Sequence, residues 1–542
     1  MHGQNEDKNE LKNLTNIIRK EKTKFERSLK SKEFENCQGN TNQMWKTAKK
    51  HIFGSNIQNP DKMMENGVMN FGSKKVANIM NRFYVSKIRK LKEKMPEPNA
   101  DPLTHFKKFV KKPKNQLFFR QITSNELEKI YSKINKSNST SHDRISMNTL
   151  NQLKSSTKYL ILHFINMVIL TEKIPKCIKI SKIVPIKKNS KMNSECANWR
   201  PINLQSPISK LMEKVLVKQI NHHLIKNKIL DPNMQGALKN RNTTISVLDI
   251  YQKLAELKRK KIDCALISTD QSVAYDIICH SILKRKIEHI GFSKSAVNII
   301  MNYLRERKQY VQINTNNSDI LITGPQSVSQ GSVISGTLYA IYTCDMHYVT
   351  HMTKHSSHTE YEKCTKSYIN TYVDDAFCIV QTQNEDLWDQ ISNLIKKMRQ
   401  YFNNNKLVMN IEKTSITIFS NKNDIKKQKI YIEGNEICHS KTTKVLGTLF
   451  NENLDWNDQM KILITKLRQR SSMIKNISKY TGKKFAKILG NSFLLGKIYY
   501  HIEILGTTSN KNIEQINNIL VKTARSIIGK KIIWKNKRMG LE

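Results

Sequence analysis

The chain alternates between short apolar runs and longer stretches in which apolar residues recur every three or four positions. The longer spacing predicts amphipathic helices. It is clearest in residues 11–32, 74–94, 126–134 and 150–170. Runs of β-branched and aromatic residues at 367–372 and 376–380 instead predict strands. The pattern therefore indicates a mixed chain of helices and strands.

Two adjacent acids lie between the two strand-like runs, in the tetrapeptide Tyr372-Val373-Asp374-Asp375. This order predicts a hairpin that carries carboxylates at its tip. Acids are common at turns for purely local reasons. Taken by itself, such a tetrapeptide is therefore far more often a solvated turn than a metal site.

A third acid follows a short apolar run, Cys264–Ile267, which is typical of a core strand that ends near Asp270. Three carboxylates at the ends of two strands suit a pair of Mg²⁺ ions, which prefer oxygen ligands. Without a metal, such crowding of negative charge is costly. Asp270 by itself could equally be a strand-end or helix-capping acid.

The order of further segments resembles the reverse transcriptases of non-LTR, jockey-like retrotransposons. Asp270–Asp276 resembles the family's DFSKAFD motif, and Tyr372–Asp375 its YxDD box. The other similar segments are 181–188, 198–204 and 209–213 (fingers), 235–243 (GFRKGRST), 303–311 (YLxxRxQxV), 329–333 (PQGS), 405–414 (NxLxxNxxKT) and 445–447 (YLG). They are collinear over about half of the chain.

The resemblance implies an α+β right-hand polymerase with fingers, palm and thumb. Asp270, Asp374 and Asp375 would be the catalytic acids and would hold two Mg²⁺ ions, with Mn²⁺ as an alternative. The reaction would add deoxynucleoside triphosphates to a DNA primer on an RNA template. Lys413 would donate a proton to the departing pyrophosphate.

The same resemblance assigns a substrate pocket. The ring of Tyr275 would exclude the sugar 2′ hydroxyl, the group that distinguishes RNA from DNA. Lys188 and Arg200 would hold the triphosphate by charge-assisted hydrogen bonds. Gln330 and Gly331 would form a loop in which a small residue lets the backbone approach the template or nucleotide.

Nucleic-acid contacts are implied at three further positions. Arg241 belongs to the basic GFRKGRST-like segment, and Leu446 and Gly447 belong to the primer-grip segment. The expected partners are an RNA template, a DNA primer and deoxynucleotides.

Charge agrees with such partners, since 92 Lys and Arg face 45 Asp and Glu, a formal net charge of +47. This is a large electrostatic footprint for a polyanion. No apolar stretch is long enough to span a bilayer, and no signal peptide is evident. The nine cysteines contain no CxxC pair, which favours a reduced compartment and disfavours structural zinc. The expected location is the nucleus or the cytoplasm.

Four regions are predicted. They are a basic helical extension at 1–114, the start of the fingers at 115–177, the fingers and palm at 178–455, and a basic helical thumb at 456–542. Beyond Trp456 the chain carries 18 Lys and Arg against 4 Asp and Glu. Apolar residues there recur at helical spacing, which suits a thumb that grips the backbone of nucleic acid.

Several positions depart from the family pattern. Val273 replaces a usual Lys, Ser329 replaces Pro, and Ser335-Gly336 replaces Gly-Pro. None of these changes removes a predicted metal ligand. They leave open a second hypothesis, in which the chain is a catalytically decayed or repurposed nucleic-acid-binding remnant. Two other polymerases, an intron-encoded reverse transcriptase and a viral RNA polymerase, would share the palm. The Lys413-Thr414 and Leu446-Gly447 segments favour a reverse transcriptase over a viral RNA polymerase. The lack of a recognisable maturase or HNH segment disfavours the intron type.

Overall fold

A computed structural model gives the fold of this chain. The structure describes residues 3–53, 60–93, 95–134, 137–152, 155–188, 194–271, 274–324, 328, 331–351, 367–382, 386–432, 434–500 and 502–528.

Helices are present in each segment in which the sequence predicts one. In chain order they are α1 (Gly3–Glu35), α2 (Thr41–Phe53), α3 (Ser73–Glu93), α4 (Pro102–Phe109), α5 (Ser124–Tyr131), α6 (Met147–Gln152), α7 (Ser155–Thr171), α8 (Pro207–Lys226), α9 (Thr243–Arg259), α10 (His280–His289), α11 (Lys294–Leu304), α12 (Ser335–Thr343), α13 (Leu387–Asn404), α14 (Asn423–Lys427), α15 (Asn457–Ser478), α16 (Lys483–Gly490), α17 (Gly496–Tyr499), α18 (Ile502–Leu505) and α19 (Asn510–Ile528).

The strands include both runs that flank the paired acids and the run that leads to Asp270. In chain order the described strands are β1 (Lys62–Glu65), β2 (Val68–Phe71), β3 (Ile180–Lys187), β4 (Trp199–Leu204), β5 (Cys264–Gln271), β6 (Lys308–Ile313), β7 (Asn316–Asn317), β8 (Leu321–Ile322), β9 (Tyr368–Tyr372), β10 (Asp375–Gln381), β11 (Met409–Phe419), β12 (Lys429–Ile432), β13 (Asn435–Cys438), β14 (Thr442–Val445) and β15 (Thr448–Asn451).

The larger of two compact units, Ile57–Leu454, is built on a four-stranded antiparallel sheet. Its strand order is β11-β5-β10-β9. The central strands β5 and β10 are buried along most of their length, as their continuous apolar runs require. The acids lie at the ends of these two strands, so the sheet places them at the same end.

A second sheet, in the order β4-β3-β6-β7 with β8 on β6, lies in the same unit. Strands β3 and β4 are antiparallel, whereas β3 and β6 are parallel. Helix α3 packs against this sheet, where its buried Val76 and Met80 join Trp199 and Val311 in one apolar cluster. The helix therefore forms part of the wall beside β3 and β4.

Helices of this unit bury charged residues as well as apolar ones. Lys286 of α10 and Asp345 are both fully buried, and the Lys286 ammonium lies 3.1 Å from the Asp345 carboxylate. Tyr401 donates a hydrogen bond of 2.7 Å to the same carboxylate oxygen. A buried pair costs free energy unless it is hydrogen-bonded in this way.

The smaller unit joins the two ends of the chain, Met1–Asn56 and Asp455–Glu542. Phe34 of α1 stacks on Tyr480, with ring centroids 6.3 Å apart. Trp45 of α2 meets the edges of Phe485 and Phe493, each at 5.6 Å. The predicted region boundaries at 114, 177 and 455 stay predictions. No helix among the described residues has the length and apolar character needed to cross a membrane.

Candidate active site

The paired acids lie at the tip of a tight hairpin. Tyr372 at the end of β9 pairs with Asp375 at the start of β10, so Val373 and Asp374 form a two-residue turn. All four residues are partly exposed. The hairpin predicted from the sequence is therefore confirmed, and its carboxylates are accessible.

Strand β5 brings the third acid to the same edge. Its ladder with β10 ends at the pair Ala376–Thr269, in which Ala376 follows Asp375 on β10 and Thr269 precedes Asp270 on β5. On its other side, the main chain at Asp270 pairs with Asn410 of β11. The side chain of Asp270 lies outside the described part of the structure. The backbone thus places positions 270 and 375 side by side.

A cavity of about 380 Å³ opens beside the acids. Its lining collects five of the side chains predicted from the sequence, which come from separate segments. They are Lys188, Arg200, Tyr275, Asp374 and Lys413. These five residues bring a carboxylate, an aromatic ring and three cations to the cavity.

Tyr275 lies near Asp374 in the lining of the cavity. Burial, together with the negative charge of Asp374, raises the pKa of the Tyr275 hydroxyl to about 12. The Tyr275 ring leans on the ring of Tyr339 in α12, with centroids 5.3 Å apart. Tyr339 in turn donates a hydrogen bond to Gln271. The ring of Tyr275 is thus supported from behind and stays neutral at physiological pH.

The three cations predicted from the sequence reach the cavity from different segments. Lys188 follows β3, and its ammonium donates to the carbonyl of Ala197 at 2.9 Å. Arg200 lies in β4 opposite Ile186 and is exposed. Lys413 lies in β11, where the pairing with β5 is interrupted between Asn410 and Ser415. Such an irregularity re-aims the side chains of a strand, and here Lys413 reaches the cavity.

Helix α3 contributes residues that the sequence did not single out. Tyr84 and Lys87 line the cavity, and the buried Tyr84 hydroxyl has no hydrogen-bond partner among the described residues. Asp276 lines it too, and burial raises the pKa of its carboxyl to about 6 against the opposing charge of Lys87. The periodic apolar face of α3 indicated packing, but nothing in it indicated what the helix packs against.

The remaining predicted site residues, as far as the structure describes them, are not among the residues that line the cavity. Gly331 has a φ of +101°, which only glycine adopts readily, and a Cβ there would lie 3.0 Å from the carbonyl oxygen of Asn203. Gln330 lies outside the described residues, as do Val273 and Ser329. The guanidinium of Arg241 lies 4.0 Å from the Asp249 carboxylate, away from the cavity lining.

Leu446 and Gly447 form the two-residue turn between β14 and β15. Both have positive φ, 46° and 90°, as a type I′ hairpin turn requires. Thr443 of β14 bonds to Thr417 of β11 at 2.7 Å. The hairpin is thus attached to the sheet that carries the acids, although its turn does not line the cavity.

The fit of a divalent cation depends on the donors present. Asp374 and Asp375 offer partly exposed carboxylate oxygens, the ligand type that Mg²⁺ and Mn²⁺ prefer. Among the described side chains, no group of three His, Cys, Asp or Glu is placed to hold a metal, and the side chain of Asp270 is not one of them. The oxygen donors of Asp374 and Asp375 therefore fit a divalent cation. The third expected ligand, Asp270, is placed by its main chain alone.

Comparison with known proteins agrees with this arrangement. Residues 186–463, just over half of the chain, match the family described as "Reverse transcriptase (RNA-dependent DNA polymerase)". The chain is 24% identical over 378 residues to the probable RNA-directed DNA polymerase from transposon BS of Drosophila melanogaster, which covers 68% of this chain and 40% of that protein. It is 22% identical over 415 residues to the polymerase from mobile element jockey of the same organism, covering 75% and 44%.

Among solved structures, telomerase from Candida tropicalis, determined with a fragment of telomeric RNA, aligns over 72% of this chain and 64% of its own. Its identity to this chain is 14% and the TM-score is 0.37.

The chain spans about two fifths of the length of the two transposon relatives. The expected α+β polymerase fold is confirmed by the family match together with the mixed helices and strands described above. The chain belongs to the reverse transcriptase (RNA-dependent DNA polymerase) family, and within it resembles the polymerases of jockey-like non-LTR retrotransposons.

Proposed function

We propose that this chain is an RNA-directed DNA polymerase that adds deoxynucleotides to the 3′ end of a DNA primer on an RNA template. The observation that carries the proposal is the single cavity lined by Asp374, Tyr275, Lys188, Arg200 and Lys413. Membership of the reverse transcriptase family supports it.

In this reaction the primer 3′ oxygen forms a bond to the α-phosphorus of the nucleotide, and the bond from that phosphorus to pyrophosphate breaks. Asp270, Asp374 and Asp375 would hold two divalent cations, Mg²⁺ in the first instance. When bound, such ions activate the attacking hydroxyl and stabilise the charge on the departing pyrophosphate. The carboxylates would orient the reaction by holding these ions at the ends of β5 and β10.

The cations of the cavity act on the triphosphate. Lys188 and Arg200 would bind its oxygens by charge-assisted hydrogen bonds, and the planar Arg200 head group can do so with two donors at once. Lys413 would donate a proton to the leaving pyrophosphate oxygen. Lys188 follows β3, Arg200 lies in the paired strand β4, and Lys413 lies in β11 of the other sheet, so two sheets supply these cations.

Sugar selection is assigned to Tyr275. Its ring lies in the cavity near Asp374 and is supported by Tyr339. A ring held in this way leaves no room for a 2′ hydroxyl, so deoxynucleotides are favoured. Gln330 and Gly331 would complete the pocket on the side of the template.

The nucleic-acid partners follow from charge and position. Arg241, Leu446 and Gly447 would contact the template–primer duplex, and the basic helices of 456–542 would form the thumb that holds its phosphates. The primer would be nicked chromosomal DNA and the template the transcript of the element itself. The protein would accordingly act in the nucleus, the cytoplasm or both.

Primer extension tests the proposal. The purified chain is incubated with poly(rA)/oligo(dT), dTTP and Mg²⁺, and binding of the labelled primer–template is measured in parallel. Extension that EDTA abolishes is expected. A folded protein that binds the duplex without extending it would instead identify the decayed, nucleic-acid-binding remnant as the correct hypothesis.

A further inference from the structure

Glu213 is a buried carboxylate that has no role in the reaction described above. It lies on helix α8 and is completely inaccessible to solvent. Burying a charge in a helix face that otherwise packs against the core is costly unless its oxygens are hydrogen-bonded. The position therefore requires a set of donors around it.

Those donors divide between its two oxygens. On Oε1, the hydroxyls of Ser209 and Tyr303 donate at 3.0 and 2.8 Å. On Oε2, the Ser332 hydroxyl donates at 2.8 Å, the Val333 amide at 2.7 Å and the Ile334 amide at 3.4 Å. One oxygen thus faces the helices, and the other gathers three consecutive residues of the loop that follows Gly331.

That loop borders the cavity. Gly331 approaches the carbonyl of Asn203, and Asn203 is one of the residues that line the cavity. At the other end of the segment, the Val328 amide donates to the carbonyl of Tyr275 at 2.8 Å. Of the described residues, Val328 therefore contacts Tyr275, and Ser332–Ile334 contact Glu213.

Glu213 also lies at the start of helix α12. Ile334 caps this helix, so its amide is among the donors that the first turn leaves unsatisfied, and Val333 immediately precedes the cap. A negative charge is favourable at such a terminus. Tyr339, which supports the ring of Tyr275, lies in the same helix.

We propose that Glu213 is a positioning residue for nucleotide binding. Its carboxylate fixes Gly331–Ile334 and the start of α12, and through them the edge of the pocket that receives the nucleotide. An apolar residue of similar volume would fill the same space in α8 at no cost of desolvation. The carboxylate, unlike an apolar residue, can hold the loop in one conformation, because three donors of that loop converge on a single oxygen. The inference rests on the proposed polymerase activity for its kinetic consequence and on geometry alone for the ordering of the loop.

Three variants separate the two oxygens. Glu213→Gln keeps the shape and replaces the charged acceptor by a neutral one. Ser332→Ala removes one loop-side donor and leaves the buried carboxylate in place. Ser209→Ala is the matched control, since it removes a donor of the same kind from the helix-side oxygen.

Two measurements are made on each full-length variant, hydrogen exchange of the peptide that spans residues 331–336 and the KM for dTTP in primer extension. For Glu213→Gln we expect exchange at Val333 and Ile334 to accelerate about tenfold and the KM to rise about tenfold, because charge-assisted hydrogen bonds are weakened. The kcat should change by less than about threefold. Ser332→Ala should raise the exchange rate and the KM by a smaller factor. Ser209→Ala should leave the exchange rate and the KM unchanged.

Wild-type exchange in this peptide and a wild-type KM in Glu213→Gln would overturn the proposal. Exchange that accelerates equally throughout α8 and the core would do so too, because it would mark a general loss of stability. If Glu213→Gln does not fold, Ser332→Ala decides by the same two readings. If the wild type does not extend primers, the polymerase proposal fails, while the exchange difference between Ser332→Ala and Ser209→Ala still decides the role of Glu213.

Discussion

Gly236 lies against Val373 so closely that a Cβ at position 236 would come within 2.6 Å of the Val373 amide nitrogen. Val373 is β-branched and has a φ of 60°, a conformation that such residues rarely adopt. The neighbouring Thr371 bonds through its carbonyl to the Gln235 amide at 2.9 Å and through its amide to the Asn233 carbonyl at 3.0 Å. The segment Asn233–Gly236 therefore holds the acid-bearing turn in a strained conformation from outside.

A methyl group at position 236 should displace that turn. For Gly236→Ala we expect a fall of about a hundredfold in kcat, because misplacement of reacting groups by about 1 Å costs that much. The measurement is single-turnover primer extension with dTTP. Gly324→Ala is the control, because a Cβ at this exposed glycine meets nothing within 4 Å. Equal rates for the two variants would show that Gly236 does not hold the turn.

Removal of the Tyr275 ring should relax sugar selection. For Tyr275→Ala we expect incorporation of UTP relative to dTTP to rise by at least about tenfold, since the ring then no longer excludes the 2′ hydroxyl. Tyr275→Phe keeps the ring and should keep the discrimination. The ratio of kcat/KM for the two nucleotides is the measurement. A Phe variant that loses discrimination as far as the Ala variant would assign selection to the hydroxyl instead.

Helix α3 should matter for nucleotide binding although it lies far from the motifs in sequence. Lys87→Ala removes a cation from the cavity lining, and we expect the KM for dTTP to rise about fivefold, equivalent to about 1 kcal/mol for a solvated charge pair. The increase should shrink at high salt, because salt screens exposed charges. Lys90→Ala, an exposed lysine of the same helix outside the cavity, is the control. Equal effects of the two substitutions would indicate only the loss of net charge.

Asp276 should reduce stability at neutral pH. Its folded-state pKa of about 6 lies above its ordinary value of 3.8, so the stability conferred by the protonated form is lost as the pH rises toward and through 6. Asp276→Asn should therefore increase the free energy of unfolding by up to about 3 kcal/mol at pH 8 and by about half of that at pH 5. Thermal unfolding at both values tests this. An equal gain at the two pH values would exclude titration of Asp276 as the cause.

Local patterns in the sequence predicted the elements that carry the acids. The β-prone runs on both sides of Asp374 gave the hairpin, and the apolar run before Asp270 gave β5, because alternation and strand ends are encoded by neighbouring residues. The run at 150–170 falls on α6 and α7, which lie on either side of residues 153 and 154, outside the described part of the structure. Element boundaries depend on capping contacts that periodicity does not report.

The contacts that complete the site could not be predicted in this way. Tyr84 and Lys87 line the same cavity as Asp374, almost three hundred residues away in sequence, and Glu213 bonds to Val333 across 120 residues. Contacts between residues so far apart in sequence depend on how whole helices and strands pack. The local spacing of apolar residues does not predict that packing. The packing of α1 and α2 with the C-terminal helices is a further case, because both ends read only as basic and helical.

The most direct test of the polymerase assignment is single-turnover incorporation of dTMP on poly(rA)/oligo(dT) by the wild type and by the Asp374→Ala, Asp375→Ala double variant. Asp61→Asn, which changes an exposed acid outside the cavity, is the matched control. The account predicts extension by the wild type and by Asp61→Asn, and none by the double variant while it still binds the primer–template. Extension by the double variant at the wild-type rate would contradict it.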